Sequence, residues 1–576
     1  MRLGSSWPRS VLIVLAALLV IALVSSLGQT PYDDGYFFKR FALHILEHGS
    51  ASWNVADGPV YGITSQAFLV VATAIAAIAP HHTVLVTKVV LAACAWLAGA
   101  LLALDASRLT KRSDDGASLA LVAFSTPLVL VTVHTGMETA FALLAVVVAL
   151  RAIAVNPPVN AIRAAAATLA VYLCRPDAAL IPAVAFVVAH RRERRRVVVY
   201  VAWLVVGLGA TWLAFRAYYG TALPLPFYAK VVRAGVDPAV VATALRSKAL
   251  HLATFAALLV PLGVASWFGR RDPRGLPLFV AAVAFVLYHA ALTHEIMGYH
   301  ARFYLPAVVP LTLAAAVGWD ALAERWPARP HIAVWLAWGA LGVALSLAGF
   351  VEGPSSGAPE SVVPLAYVLP ALMIVLMLAK GRIRSGPSVV DRAADRAHGV
   401  APELGERAPL ADRRASFLHV ALLAVPLLAL RFSVPWKWPL GLSDDDFVAR
   451  SSAEVTTVRG LDDVARCLPG VHTLYHSEIG VPGLVLPNAR IVDFAGLMST
   501  DIALGRVRFD DLCLRDRPEA IFLPHKNYVR QNREVAESRC LGAYTEVVRR
   551  SSSPLYVRSD LVPRFLSCAT DIAAWR

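Results

Sequence analysis

The sequence predicts a mainly α membrane protein, a bundle of about 11–13 helical spans followed by a C-terminal soluble α/β domain. Three observations carry this. The chain is 57% hydrophobic and only 16% charged, where soluble domains average about 45–50% and about 25%. Its 576 residues begin with a long series of apolar runs separated by short polar connections. After residue 434 that alternation stops and the composition becomes polar and mixed.

The first apolar run, Val11 to Leu27, is about the length a helix needs to cross a bilayer. It lacks an A-x-A-type cleavage site and precedes many further spans, so it reads as a retained signal-anchor. The candidate spans are 10–28, 84–105, 117–134, 137–155, 161–175, 177–190, 196–218, 250–269, 276–293, 304–324, 332–350, 362–380 and 416–433. Of these, 161–175 and 177–190 are short and suggest a tilted or partly submerged hairpin. Basic residues gather in the short connections: Arg108, Lys111 and Arg112; Arg191 to Arg196; Arg270, Arg271 and Arg274. This is the positive-inside pattern, and it places the N-terminus in the cytoplasm. The net charge of +14 thus orients helices; no aromatic-interleaved basic face points to nucleic acid.

Gln66 to Ala79 is apolar, but counting it as a span would put Ser107 to Arg112 outside. It is expected instead as a re-entrant or juxtamembrane helix of the first external loop, residues 29–83. In the same loop, Tyr36 to Glu47 has Phe37, Phe38, Phe41, Ala42, Ile45 and Leu46 at helical spacing. Lys39, Arg40, His44 and Glu47 fall on the other side, the pattern of a helix lying along the membrane surface. The membrane domain is assigned to residues 1–434, with a flexible cytoplasmic linker over 381–415. Residues 435–576 form the external domain, with strand-like runs at Val471–Tyr475, Ala520–Leu523 and Leu555–Arg558 and a helix-like stretch from Tyr528 to Cys540. Cys467, Cys513, Cys540 and Cys568 all lie there, where disulfides are permitted; three pairings are open. Cys94 and Cys174 lie within spans and read as packed thiols.

On this topology the polar motifs fall on one face. Asp33-Asp34 follows the first span, where carboxylates facing lipid would be costly. Thr64-Ser65, Glu138, Arg175 with Asp177, Tyr228 with Lys230 and Arg233, then Glu295 and Arg302 follow in later external turns. Carboxylates and cations on one membrane face suit a reaction in which a carboxylate takes a proton from a hydroxyl and a cation stabilises a departing phosphate. Each element also has a plain structural reading. The Asp pair can cap the amphipathic helix, Arg175 can pair with Asp177 across a turn, and Lys230, Arg233 and Arg302 can snorkel to headgroups. The histidines His44, His48, His81 and His82 show no metal-site spacing, although two neighbouring carboxylates can recruit a divalent cation.

The order of these motifs resembles the GT-C class of polytopic glycosyltransferases, in particular the branch of the mycobacterial terminal arabinofuranosyltransferases and related bacterial enzymes. The residues that carry the resemblance are Asp33-Asp34-Gly35-Tyr36, Gly62-Ile63-Thr64-Ser65, Gly136-Met137-Glu138-Thr139, Arg175-Pro176-Asp177, Phe227 to Lys230 and Arg302 to Pro306. Asp493 to Leu497 resembles the Asp-x-x-Gly-Leu turn of the soluble domain. Ile63 stands in place of Tyr, Asp177 in place of Glu, and His294-Glu295 in place of a Gly-Asp pair. The resemblance implies a GT-C-type bundle in a bacterial inner membrane with an extracytoplasmic C-terminal domain. It also implies a polyprenyl-phosphate sugar donor and a hydroxyl acceptor on an envelope glycan or lipid. No residue cluster demands a metal or another cofactor. Asp33 would be the general base with Asp34 assisting, and Lys230 and Arg302 the foremost phosphate partners. Glu138 and Glu295 would bind sugar or acceptor hydroxyls. The competing classes are a transporter or flippase of lipid-linked sugars and a non-catalytic envelope-binding protein.

Overall fold

The computed structural model describes residues 33–111, 136–155, 160–229, 262–292, 299–325, 456–523 apart from 469, 529–548 and 554–569, with positions 116, 119, 120, 123, 124 and 444. The spans expected at 10–28, 332–350, 362–380 and 416–433 lie outside these residues, as do most of those at 117–134 and 250–269. So do the linker over 381–415 and the candidate site residues Lys230, Arg233 and Glu295.

A 3-10 turn, Asp33–Tyr36, leads into helix α1, Phe37–His48. It ends at Gly49, whose left-handed φ of 66° lets its N–H turn back to the Ile45 carbonyl. Helix α2, Gln66–Ile78, is 13 residues long, about 20 Å, and packs on α1. That is too short to cross a bilayer and agrees with a juxtamembrane assignment. Then come α3 (Thr83–Leu109), α4 (Thr139–Leu150), α5 (Ala161–Cys174), α6 (Leu180–Ala189), α7 (Arg194–Tyr219), α8 (Gly275–Leu292) and α9 (Val308–Arg325). Among the described residues, three segments are long and apolar enough to cross a membrane: Pro80–Leu109, Arg194–Tyr219 and Arg302–Leu322. Helices α5 and α6 meet at a tight turn around Arg175–Asp177, the hairpin that the two short apolar runs imply.

The helices differ sharply in burial. The Arg302–Leu322 segment is almost wholly buried, whereas Arg194–Tyr219 is almost wholly unburied and turns Trp203, Val205, Val206 and Leu213 outward. A surface that apolar suits lipid. Small residues bring α9 against the helix at 262–269. A Cβ on Gly318 would fall 1.8 Å from the Ala265 carbonyl oxygen, and one on Gly269 would fall 2.2 Å from that of Ala314. The two backbones therefore touch across a small-x-x-x-small surface on each helix.

The bundle keeps two polar sets at opposite ends. At one end Asp105 lies 3.6 Å from both Arg108 and Arg151, and the Lys111 N–H donates to Asp320 at 2.8 Å. At the other end lie Glu138 before α4, the Arg175 turn and Arg302. Arg302 and Asp320 are separated by about 30 Å of 3-10 and α-helix.

The C-terminal domain contains helices α10 (Thr456–Cys467), α11 (Gly480–Val485), α12 (Phe509–Asp516), α13 (Val529–Ala536) and α14 (Val562–Cys568). Its five strands are β1 (Thr473–His476), β2 (Arg490–Asp493), β3 (Ala520–Phe522), β4 (Tyr544–Val548) and β5 (Leu555–Arg558), in the order β2-β1-β3-β5-β4. β1 is parallel to β2 and β3, with His476 opposite Asp493, and β5 is antiparallel to β3 and β4. Of the three open cysteine pairings, the structure adopts Cys467–Cys568 and Cys513–Cys540; Cys94 and Cys174 are free thiols.

One expectation is overturned. Helix α1 does not present its charged face to water, because Lys39, Arg40 and His44 are only 4%, 4% and 8% exposed. The C-terminal domain covers that face, so α1 is held between bundle and domain, and Glu47 alone of the four polar residues stays exposed.

Candidate active site

Asp33 and Asp34 share one turn and face different partners. Both carboxylate oxygens of Asp33 accept backbone hydrogen bonds, from Gly480 N–H and Val481 N–H, each at 2.7 Å. Asp34 instead pairs with the Arg302 guanidinium at 3.4 Å. Burial pushes the Asp33 carboxyl up to about 7, with Asp34 and Asp493 adding to the rise and the two N–H groups opposing it. Asp493, at the end of β2, is likewise pushed up to about 7 by burial. It closes the Asp-x-x-Gly-Leu turn by accepting from the N–H groups of Ala495 at 2.7 Å, Met498 at 3.0 Å and Leu497. Next to it on the sheet, His476 is fully buried, stacks on Phe522 with ring centroids 4.6 Å apart, and accepts from the Glu478 N–H through Nδ1. Burial lowers its pKa to about 3, so the ring is neutral.

From Arg302 the cluster runs on through the bundle. Its guanidinium contacts the Met137 sulfur and lies 5.1 Å from the Phe303 ring centroid; Arg175 lies 6.0 Å from the same ring. Arg175 donates to Asp177 at 3.0 Å and to Thr139 at 3.4 Å, and Asp177 accepts a hydrogen bond from His289 Nε2 at 2.9 Å. Thr64 donates to Glu138 at 3.5 Å. The Met137-Glu138-Thr139 turn thus touches Arg302, Thr64 and Arg175 in succession, and two guanidinium groups flank one aromatic ring. Two cations placed in this way can receive an anionic group between or beside them.

The structure thereby brings together Asp34, Thr64, Glu138, Arg175, Asp177 and Arg302, with Asp33 one residue away on the C-terminal domain's side. Ser65 is not brought in. Its Oγ accepts from the Phe68 N–H at 3.3 Å as the N-cap of α2, and the residue is completely buried. Tyr228 is half-buried and packs against the first-loop core. Among the described residues no three His, Cys, Asp or Glu side chains group as metal ligands. Sequence reasoning missed His289 and Gly480, and placed Phe303 within the Arg302–Pro306 element without giving it a role. His289 is a lone histidine inside an apolar helix, and its partner is 112 residues away.

The architecture is that of the GT-C-type membrane bundle with a small sheet domain appended. No protein-family model matches the chain, and no curated protein is significantly similar to it. Among solved structures the chain is similar to the crystal structure of ArnT from Cupriavidus metallidurans bound to undecaprenyl phosphate. The two share 14% identity with a TM-score of 0.55, over 97% of this chain and 99% of that one. At that identity the likeness establishes a common fold.

Proposed function

We propose that the protein is a membrane glycosyltransferase that moves a sugar from a polyprenyl-phosphate donor to a hydroxyl of an envelope glycan or lipid. The observation that carries this reading is the cluster in which Asp34, Arg302, Phe303, Arg175 and Asp177 follow one another in contact beside the half-buried Asp33. Its fold relative ArnT was crystallised with undecaprenyl phosphate, which is the chemistry such a cluster suits. In the proposed step Asp33 takes the proton of the acceptor hydroxyl as the acceptor oxygen bonds to the sugar's anomeric carbon. The bond from that carbon to the phosphate oxygen breaks, and the phosphate leaves with the electron pair. Displacement from the opposite face inverts the anomeric centre. Each carboxylate oxygen retains a second lone pair beyond its backbone hydrogen bond, so Asp33 can still accept that proton. Arg302 and Arg175 neutralise the departing phosphate, joined by Lys230 and Arg233, while Asp34 holds Arg302 in place. Glu138, Thr64 and Glu295 are assigned to sugar or acceptor hydroxyls. The site lies at the extracytoplasmic end of the bundle, opposite the basic turns.

The test is transfer of radiolabelled sugar from polyprenyl phosphate in membranes carrying the wild type or Asp33→Asn. Losing a general base lowers the rate by about a thousandfold, and undiminished transfer by the variant would remove Asp33 from that role. Wild-type transfer is expected to fall as pH drops below about 7, because the Asp33 carboxylate then becomes protonated. A wild type inactive with every donor in a panel would point to the transporter or binding classes.

A further inference from the structure

We propose that Gly480 is a positioning residue through which the C-terminal domain holds the Asp33 carboxylate in its working orientation. The inference rests on the reading of Asp33 as the base and adds the group that controls it. Two consecutive backbone N–H groups, from Gly480 and Val481, meet the two oxygens of one carboxylate across 447 and 448 residues of chain. The approach requires glycine. A Cβ at position 480 would lie 1.8 Å from the Asp33 main-chain oxygen and 3.0 Å from its carboxyl carbon.

The seam around this contact is built for close approach throughout. A Cβ on Gly483 would come within 2.7 Å of Trp53, and one on Gly62 would come within 2.0 Å of the Met498 sulfur. Arg40 then fixes the two bodies together, donating to the carbonyls of Trp53 at 2.8 Å, Gly483 at 2.7 Å and Ala489 at 3.0 Å. The Trp53 indole N–H donates to the Ile491 carbonyl at 3.1 Å, and Asn54 exchanges two hydrogen bonds with the Ile491 backbone at 2.9 and 3.0 Å. The Gly480–Asp33 contact therefore sits in a rigid frame.

The titratable groups that act on Asp33 are Asp34 and Tyr36 from its own turn and Asp493 from β2. The two carboxylates disfavour its ionised form, and the two N–H groups favour it. Only the N–H groups can be weakened without changing a charge, so they give a test specific to this contact.

The experiment titrates Asp33 in the full-length protein in detergent. Protonated carboxyls are labelled with dicyclohexylcarbodiimide across a pH series, and the Asp33 adduct is quantified by mass spectrometry. The wild-type midpoint is expected at about 7. Gly480→Ala displaces both donors. Val481→Pro deletes one N–H in the first turn of α11, where proline is tolerated. Each variant should raise the midpoint by about one pH unit, the size of a hydrogen bond to a charged group. The low-pH limb of the transfer profile should move with it. A midpoint unmoved in both variants overturns the proposal. So does a midpoint that moves to lower pH, which is what simple loosening of the domain and entry of water would produce. If the midpoint rises while the transfer profile stays fixed, the positioning contact stands and the assignment of Asp33 as base fails.

Discussion

The two carboxylates of the Asp33-Asp34 turn are held by opposite kinds of contact. On the bundle side the polar contacts join side chain to side chain: Asp34 to Arg302, Arg175 to Asp177, Asp177 to His289 and Thr64 to Glu138. Towards the C-terminal domain most of them join side chain to main chain: Asp33 to two N–H groups, Arg40 to the carbonyls of Gly483, Leu486 and Ala489, and Trp53 and Asn54 to Ile491, beside the ion pairs Lys39–Asp444 and Asp57–Arg490. Side-chain pairs can exchange partners when a charged ligand arrives. Main-chain partners belong to the fold and cannot move without it. The bundle side is thus suited to receiving an anion and the domain side to holding a fixed geometry.

Substitutions that attack each side should separate the two. The largest effect is expected from Arg40→Met, which keeps much of the packing over Trp53 but leaves the buried carbonyls of Gly483 and Ala489 without their donor. A loss of about 3 kcal/mol of stability follows, read as a lower thermal midpoint and faster proteolysis of the chain between bundle and domain. Intact protease resistance would mean that the seam does not depend on this residue. On the bundle side, Arg302→Lys retains the charge but not the fork that spans Asp34 and Met137. Transfer should fall about tenfold, the equivalent of one charge-assisted hydrogen bond, with the thermal midpoint little changed. A variant as active as the wild type would take Arg302 out of the phosphate assignment. The smallest effect is expected from Ser65→Ala. Loss of an N-cap costs about 1 kcal/mol and should leave KM for the donor unmoved; a raised KM would restore Ser65 to the substrate site.

The same contrast explains what could be read from the sequence. Helix α1 was legible from its aromatic spacing, with Phe37–His48 observed where Tyr36–Glu47 was expected. The α5–α6 hairpin was legible from two short apolar runs, and strands β1, β3 and β5 from their apolar stretches. Charges in the bundle cluster were legible because polar side chains in a hydrophobic chain stand out. The cover over α1 was not. Lys39, Arg40 and His44 have the spacing of a solvated face, and nothing local reveals that a domain 440 residues later will close over them. Nor was the hold on Asp33. A backbone N–H leaves no signature in sequence except the glycine that permits its approach, and Gly480 is one of 35. β4 escaped because its burial arises from pairing with β5, not from an apolar run of its own. His289 escaped because its partner Asp177 is far off in the chain.

The covering of α1 also sets an order of assembly. Arg40 leaves the ribosome 443 residues before Gly483, which accepts its hydrogen bond. Throughout that interval the bundle is made while the cations of α1 lack their final partners. The domain that supplies them is itself closed by Cys467–Cys568, which joins its first described helix to its last. Completion of the site therefore waits on the synthesis of Cys568, and a chain truncated before it would carry the whole Asp33–Arg302 apparatus in an unfinished state.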